Sequence, residues 1–178
     1  MIKETINKHY DEAKALRQAI HQEPELAFEE VKTNQKIRAF LDKHQLPYVS
    51  GIAKTGILAT IEGSHPGKTI LLRADMDALP MDENPNNPYA SQYPGRMHAC
   101  GHDIHTAMLL TAARMLEEDE DHLHGTVKLM FQNAEEVFKG ANDMIEHGIL
   151  DNPRPDAAMA YHLSLIQTSE PTRRYAIP

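Results

Sequence analysis

Four small groups of residues in this 178-residue chain carry side chains suited to chemistry. Asp75 and Asp77 lie in the string RADMD; Cys100, His102, Asp103 and His105 lie in HACGHDIH; Glu135 and Glu136 close NAEE; His162 ends AMAYH. A thiolate and an imidazole two residues apart suit zinc or a similar divalent ion, which makes Cys100 and His102 candidate ligands. The alternative is a buried cysteine beside a histidine at a helix start. Asp103 and His105 have a plainer reading too, as opening residues of a helix and nothing more. The density of donors in HACGHDIH favours metal. Two adjacent carboxylates, Glu135 and Glu136, can divide the work, one binding a metal while its neighbour abstracts a proton from water. A solvated acidic turn would look the same. Asp75 and Asp77 would share one face of an extended strand, placed to ligate a metal or to orient its histidines; an ion pair with Arg73 is the competing explanation. His162 is either a ligand or a satisfied core histidine. Together the groups supply Cys, His, Glu and His, with a carboxylate to spare as base.

The elements that must position these residues follow from periodicity. Ile6, Tyr10, Ala13, Leu16 and Ala19 recur at helical spacing and predict a helix over Ile2 to His21, ended by Pro24. Val31, Ile37, Phe40 and Leu41 predict a second over Phe28 to His44, stopped by Pro47. Strands are expected over Thr55–Glu62 and Thr69–Asp75, with a turn at Ser64–Lys68. Leu79 to Arg96 holds four prolines and Gly95 and reads as a long surface loop. A helix from His102 to Asp119, a strand TVKLMFQNAE opening after Gly125, a short helix over Gly140–Leu150 and a strand over Asp156–His162 complete the order. Helices alternating with buried-looking strands indicate an α/β fold, a mixed and mostly parallel sheet flanked by helices. Ligands of such sheets gather beyond the carboxyl ends of the strands. Three of the four groups fall at strand ends and the fourth at a helix start.

Composition narrows the function. The 18 basic and 26 acidic residues give a net charge of -8, which argues against nucleic acid and anionic membranes as partners. A single cysteine excludes an intrachain disulfide and suits a reducing compartment. Eleven histidines point to metal or proton chemistry. The amino-terminal residues lack the apolar run of a signal peptide, and the stretch Ala107–Leu116 is interrupted by Thr111 and Arg114. A cytoplasmic protein is expected.

The strings HQEPELAFEE (21–30), LLRADMDALP (71–80), MHACGHDIHTA (97–107), FQNAEE (131–136) and AMAYH (158–162) resemble, in order, the metal-dependent amidohydrolases of the aminoacylase group. That group includes hippurate hydrolases, indole-acetyl-amino-acid hydrolases and N-acetyl-diaminopimelate deacetylases, relatives of the dinuclear-zinc carboxypeptidases. The resemblance implies a hydrolase that cleaves the amide of a small-molecule N-acyl amino acid with two divalent metal ions, zinc or manganese, with cobalt or nickel also compatible. It implies Cys100, His102, Glu136 and His162 as metal ligands, Cys100 bridging the ions, and Glu135 as the general base that activates water. Asp75, Asp77, Asp103 and His105 would lie close to the metals or support the ligands.

Members of that group are longer. They carry an inserted domain for dimerisation and closure over substrate, then a returning catalytic half with a further histidine ligand. Residues 1–162 are therefore expected to form the amino-terminal part of the catalytic domain, with the inserted domain and the returning half absent. The tail LSLIQTSEPTRRYAIP departs from the family pattern, and LSLI and SEPTR resemble the translation of a sequencing-adapter end; residues 163–178 are expected to be non-native. The main reading is an amidohydrolase, homodimeric when complete. The alternatives are a catalytically incomplete metal-binding fragment and a metal-dependent dipeptidase.

Overall fold

The structure, a computed structural model, describes residues 2–163, so the tail expectation lies outside the described residues except at Leu163. Three long helices, α1 (Ile2–His21), α2 (Val31–Lys43) and α3 (His102–Glu117), and a short α4 (Gly140–Glu146) accompany five strands. The strands are β1 (Tyr48–Ile52), β2 (Gly56–Glu62), β3 (His65–Asp75), β4 (His124–Gln132) and β5 (Ala157–Ala160), and the sheet order is β1-β2-β4-β3-β5. β3 pairs in parallel with β4 and with β5, whereas β1–β2 and β2–β4 are antiparallel. The mixed α/β sheet expected from the sequence is present, and its parallel strands lead to the candidate site.

Strand alternation divides the core. On β2 and β4, Ile57, Ala59, Ile61, Val127, Leu129 and Phe131 join Ile37, Phe40, Leu41, Leu110 and Ala113 of α2 and α3 in the larger cluster. The intervening Met130, with Leu58 packed beside it, joins Met144 and Ile149 across the other face, around α4. Lys128 shares the alternation of Met130 and is almost wholly buried. Its ammonium donates to the carbonyls of Asp151 and Pro153 at 2.7 and 3.1 Å, which ties down the chain after α4.

Differences from the sequence expectation have local causes. α2 starts at Val31, not Phe28, because Phe28 has φ 64, a left-handed backbone that an α-helix cannot include. The start is capped from outside: the Glu25 carboxylate accepts the Lys32 and Thr33 N–H groups at 3.0 and 2.8 Å. β1 was not expected after Pro47. β3 runs back to His65 through the expected turn, with a register irregularity between His65 and Thr69. β4 ends at Gln132, three residues before Glu135, and β5 ends two residues before His162, so the glutamates sit on a turn and His162 on irregular chain beyond the strands.

Candidate metal centre

β3 delivers Asp75, its last residue, and Asp77 just beyond it; both are buried. Gly101, at φ 82, turns the chain into α3, whose first turn holds His102, Asp103 and His105 in the interior. The two aspartates converge on one ring. His102 Nδ1 lies 2.8 Å from the carbonyl oxygen of Asp77 and 3.3 Å from its carboxylate. A carbonyl can only accept, so Nδ1 carries the proton and Nε2 is the donor available to a metal.

That Nε2 is buried, makes no hydrogen bond and faces three carboxylates, Asp75 at 3.6 Å, Glu136 at 3.7 Å and Glu135 at 3.8 Å. These separations are too long for hydrogen bonds. They match atoms sharing one ion: two ligands at about 2.1 Å in tetrahedral geometry stand roughly 3.4 Å apart. Ligand atoms of Asp75, His102, Glu135 and His162 lie within 4.8 Å of one another, as do those of Cys100, His102 and Glu136. The donors of both groups suit divalent cations; the groups share His102, whose one free lone pair, on Nε2, serves a single ion.

Charge points the same way. Burial opposes ionisation of both His102 and Asp75, yet neighbouring charges outweigh it. Hydrogen bonding to Asp77 and the charge of Asp75 leave the His102 pKa raised, and His105, His102 and Arg73 leave the Asp75 pKa lowered. Such an excess of acceptors is a setting in which a divalent ion can take the place of protons. Burial, then the adjacent Glu136, Glu135 and Asp75, push the Cys100 thiol up to about 12, a direction that a bound cation would reverse.

A surrounding shell holds these side chains in place. His105 Nδ1 donates to Asp75 Oδ1 at 2.5 Å, and its Nε2 accepts the Leu163 N–H at 2.9 Å. Arg73 lies 2.8 Å from the other Asp75 oxygen, so the ion pair is present and Asp75 also faces His102. Asp77 Oδ2 accepts the backbone N–H of Glu136 at 2.9 Å. The exposed His162 ring lies 5.8 Å from that of His102 and 5.4 Å from that of His105, centroid to centroid.

Asp103 is not brought to this cluster. Its carboxylate is held by His21 at 2.7 Å and Arg17 at 2.6 Å, both from α1. His21 also reaches Glu83 at 2.9 Å, which further accepts the Asn87 side-chain amide and the Ser91 N–H. This second network fastens the long loop to α1 and α3. Burial pulls the His21 pKa down, but the hydrogen bonds and charges of Asp103 and Glu83 leave it raised. Nearby, His98 is buried with its pKa pushed down to about 4 by that burial, so it is neutral.

Glu135 and Glu136 stand equally near His102 but differ in surroundings. Glu135 lines a cleft of about 620 Å3 together with Arg73, Gln132, Phe138 and Met159; Glu136 groups with Cys100. Glu30 is the supporting residue that sequence reasoning missed. Wholly buried, it accepts the Ala134 N–H immediately before these glutamates. It stands in HQEPELAFEE, but no local pattern indicates a partner 104 positions away. Ala134 has φ 50, a left-handed conformation costing a non-glycine residue on the order of 1 kcal/mol.

The model of peptidase family M20/M25/M40 matches residues 71–175. N-acetylcysteine deacetylase of Bacillus subtilis (strain 168) is 44% identical over 137 residues, 76% of this chain and 36% of the relative. N-acyl-L-amino acid amidohydrolase of Geobacillus stearothermophilus is 41% identical over 168 residues, 92% of this chain and 45% of the relative. The Bacillus subtilis YXEP protein, a dinuclear metal-binding peptidase from the M20 family, superposes with a TM-score of 0.84 at 40% identity, covering 89% of this chain and 44% of that one. The chain thus spans less than half the length of each. With that match over more than half of its length, and relatives above 40% identical, the chain belongs to the peptidase family M20/M25/M40.

Proposed function

We propose that the complete protein is a metal-dependent amidohydrolase that cleaves the amide bond of an N-acyl amino acid. The observation that carries this reading is the unbonded His102 Nε2, faced by Asp75, Glu135 and Glu136 at ligand spacing. Relatives that act on N-acetylcysteine and on N-acyl-L-amino acids support the substrate class.

Cys100, His102, Glu136 and His162 would hold two divalent ions, zinc or manganese, with Asp75 close by. When bound, the ions supply positive charge that acidifies water and polarises a carbonyl. Glu135 is the base in this reading because it lines the cleft, where substrate and water can reach it. Its carboxylate takes a proton from the attacking water and returns it to the departing amine. Asp77 keeps the His102 proton on Nδ1, and His105 orients Asp75. The complete protein would be cytoplasmic, a reading its single cysteine favours, and a homodimer, which the family resemblance implies. Among the described residues, no helix is long and apolar enough to cross a membrane.

A second reading takes the chain by itself as a metal-binding fragment. The exposure of His162 and the coverage of less than half of each relative favour it. Assays on the complete protein, stripped with a chelator and reloaded with manganese or zinc, test the main reading with N-acetyl amino acids against dipeptides. Metal-restored release of the free amino acid from the acylated substrates is expected. Faster cleavage of dipeptides would make it a dipeptidase, and no cleavage of either would remove the enzyme reading.

A further inference from the structure

Glu30 ends the irregular stretch between α1 and α2, far from the ligand strings in sequence, yet its carboxylate has no free side. Oε1 accepts two backbone N–H groups, from Phe28 at 3.0 Å and from Ala134 at 2.8 Å; Oε2 accepts the Thr55 hydroxyl at 2.6 Å. Both amides that meet Oε1 belong to non-glycine residues in left-handed backbone, Phe28 at φ 64 and Ala134 at φ 50. Two residues past Ala134, the Glu136 N–H is taken by Asp77 at 2.9 Å. Glu135 therefore lies between two backbone amides, each fixed by a carboxylate from a different part of the chain. The turn is confined behind as well, since a Cβ on Gly140 would stand 1.6 Å from the Asn133 carbonyl oxygen.

We propose that Glu30 is a positioning residue: through the Ala134 amide it sets the backbone of the turn that carries Glu135 and Glu136, and so fixes where these carboxylates meet His102. Glu30 bonds to the backbone of the turn and to no side chain of the cluster, so it acts through that turn. The inference rests on reading Glu136 as a ligand and Glu135 as its neighbour at the site. What the turn requires from position 30 is an acceptor of the right reach, because each bond to it is donated by an N–H or an O–H. A side-chain amide can still accept the Ala134 N–H and can turn its own NH2 toward the Thr55 oxygen.

The test uses cobalt(II) as probe, read by its visible absorption bands and by titration, with circular dichroism to confirm folding. Glu30→Ala is expected to fold with altered bands and at least tenfold weaker cobalt binding, while Glu30→Gln restores wild-type bands and affinity. A folded Glu30→Ala protein with wild-type bands and affinity overturns the proposal. So does a Glu30→Gln protein as impaired as Glu30→Ala, because charge and not acceptor geometry would then be the requirement. Should Glu30→Ala not fold, Glu30→Asp replaces it: the acceptor is withdrawn by one methylene with its charge retained, the same loss is expected, and wild-type binding overturns the proposal. Glu136→Ala is the separate control. Unchanged cobalt bands there would mean that the reading of the site has failed, whatever Glu30 does.

Discussion

Asp77 grips His102 twice through one ring nitrogen, with its backbone carbonyl 2.8 Å and its carboxylate 3.3 Å from Nδ1. The other nitrogen is thereby committed to the cluster of carboxylates. A histidine whose tautomer is fixed in this way needs no rearrangement to bind a cation.

Asp77→Asn tests that commitment. The carbonyl contact survives, but the carboxylate near Nδ1 and its bond to the Glu136 amide are weakened together. Metal affinity is expected to fall about 10- to 100-fold, the usual cost of losing such a support. Titration with zinc against a competing chelator gives the number, and an unchanged affinity would show that the carbonyl suffices.

Glu135→Gln in the complete protein is expected to abolish measurable turnover, a loss of at least about 10²- to 10⁴-fold, with metal retained. Glu136→Gln is expected to lose metal. Metal analysis beside a deacylation assay separates the two, and metal loss in Glu135→Gln would reverse the assigned roles.

Cys100→Ala is expected to lower the metal bound per chain, since its sulfur groups with His102 and Glu136. Atomic absorption on dialysed protein measures this. Unchanged content would strike Cys100 from the ligand set.

His21 supplies a pH dependence of stability. Its pKa is raised in the folded chain above the ordinary 6.5 by Asp103 and Glu83, against the opposing effect of burial. The folded state then binds more protons than the unfolded one between those two values. The stabilisation is fully present below about pH 6.5 and is lost as pH rises through the folded pKa. Urea unfolding at a series of pH values, wild type against His21→Gln, should show a gap that narrows with rising pH in this window. A gap constant with pH would mean that His21 acts by packing alone.

The repetitive elements were legible in the sequence because their apolar spacing is local: α1 was expected over the residues it occupies, and α3 to within two residues. β1 was hidden because its five residues follow Pro47, contain Gly51 and are nowhere fully buried, so no apolar run advertises them. At the site, Asp75, Cys100, His102, the two glutamates and His162 announce themselves by type and density. The buried groups that brace the turn and the loop around them do not. Glu30 and His21 find their partners 104 and 82 positions away, and only the closed fold brings those ends together. The partners of Asp103 were hidden for the same reason: it stands inside HACGHDIH, and α1 supplies His21 and Arg17 to its carboxylate.

The anchoring of the long loop by Glu83 bears on how this chain can be altered. The loop is closed at its base by reciprocal backbone bonds between Leu79 and Met97 at 2.9 and 3.0 Å, and Glu83 gathers Asn87 and Ser91 at its middle. Between these anchors lies a short exposed tip at Pro85 and Asn86, held only locally, by the Asn86 N–H on the Asn84 side chain. Because the entropy of closing a loop grows only logarithmically with length, residues added at that tip cost about 0.6 kcal/mol for each doubling. A peptide tag or fluorescent label placed there would leave the knots beneath it tied, giving a handle on the molecule that the metal centre does not feel.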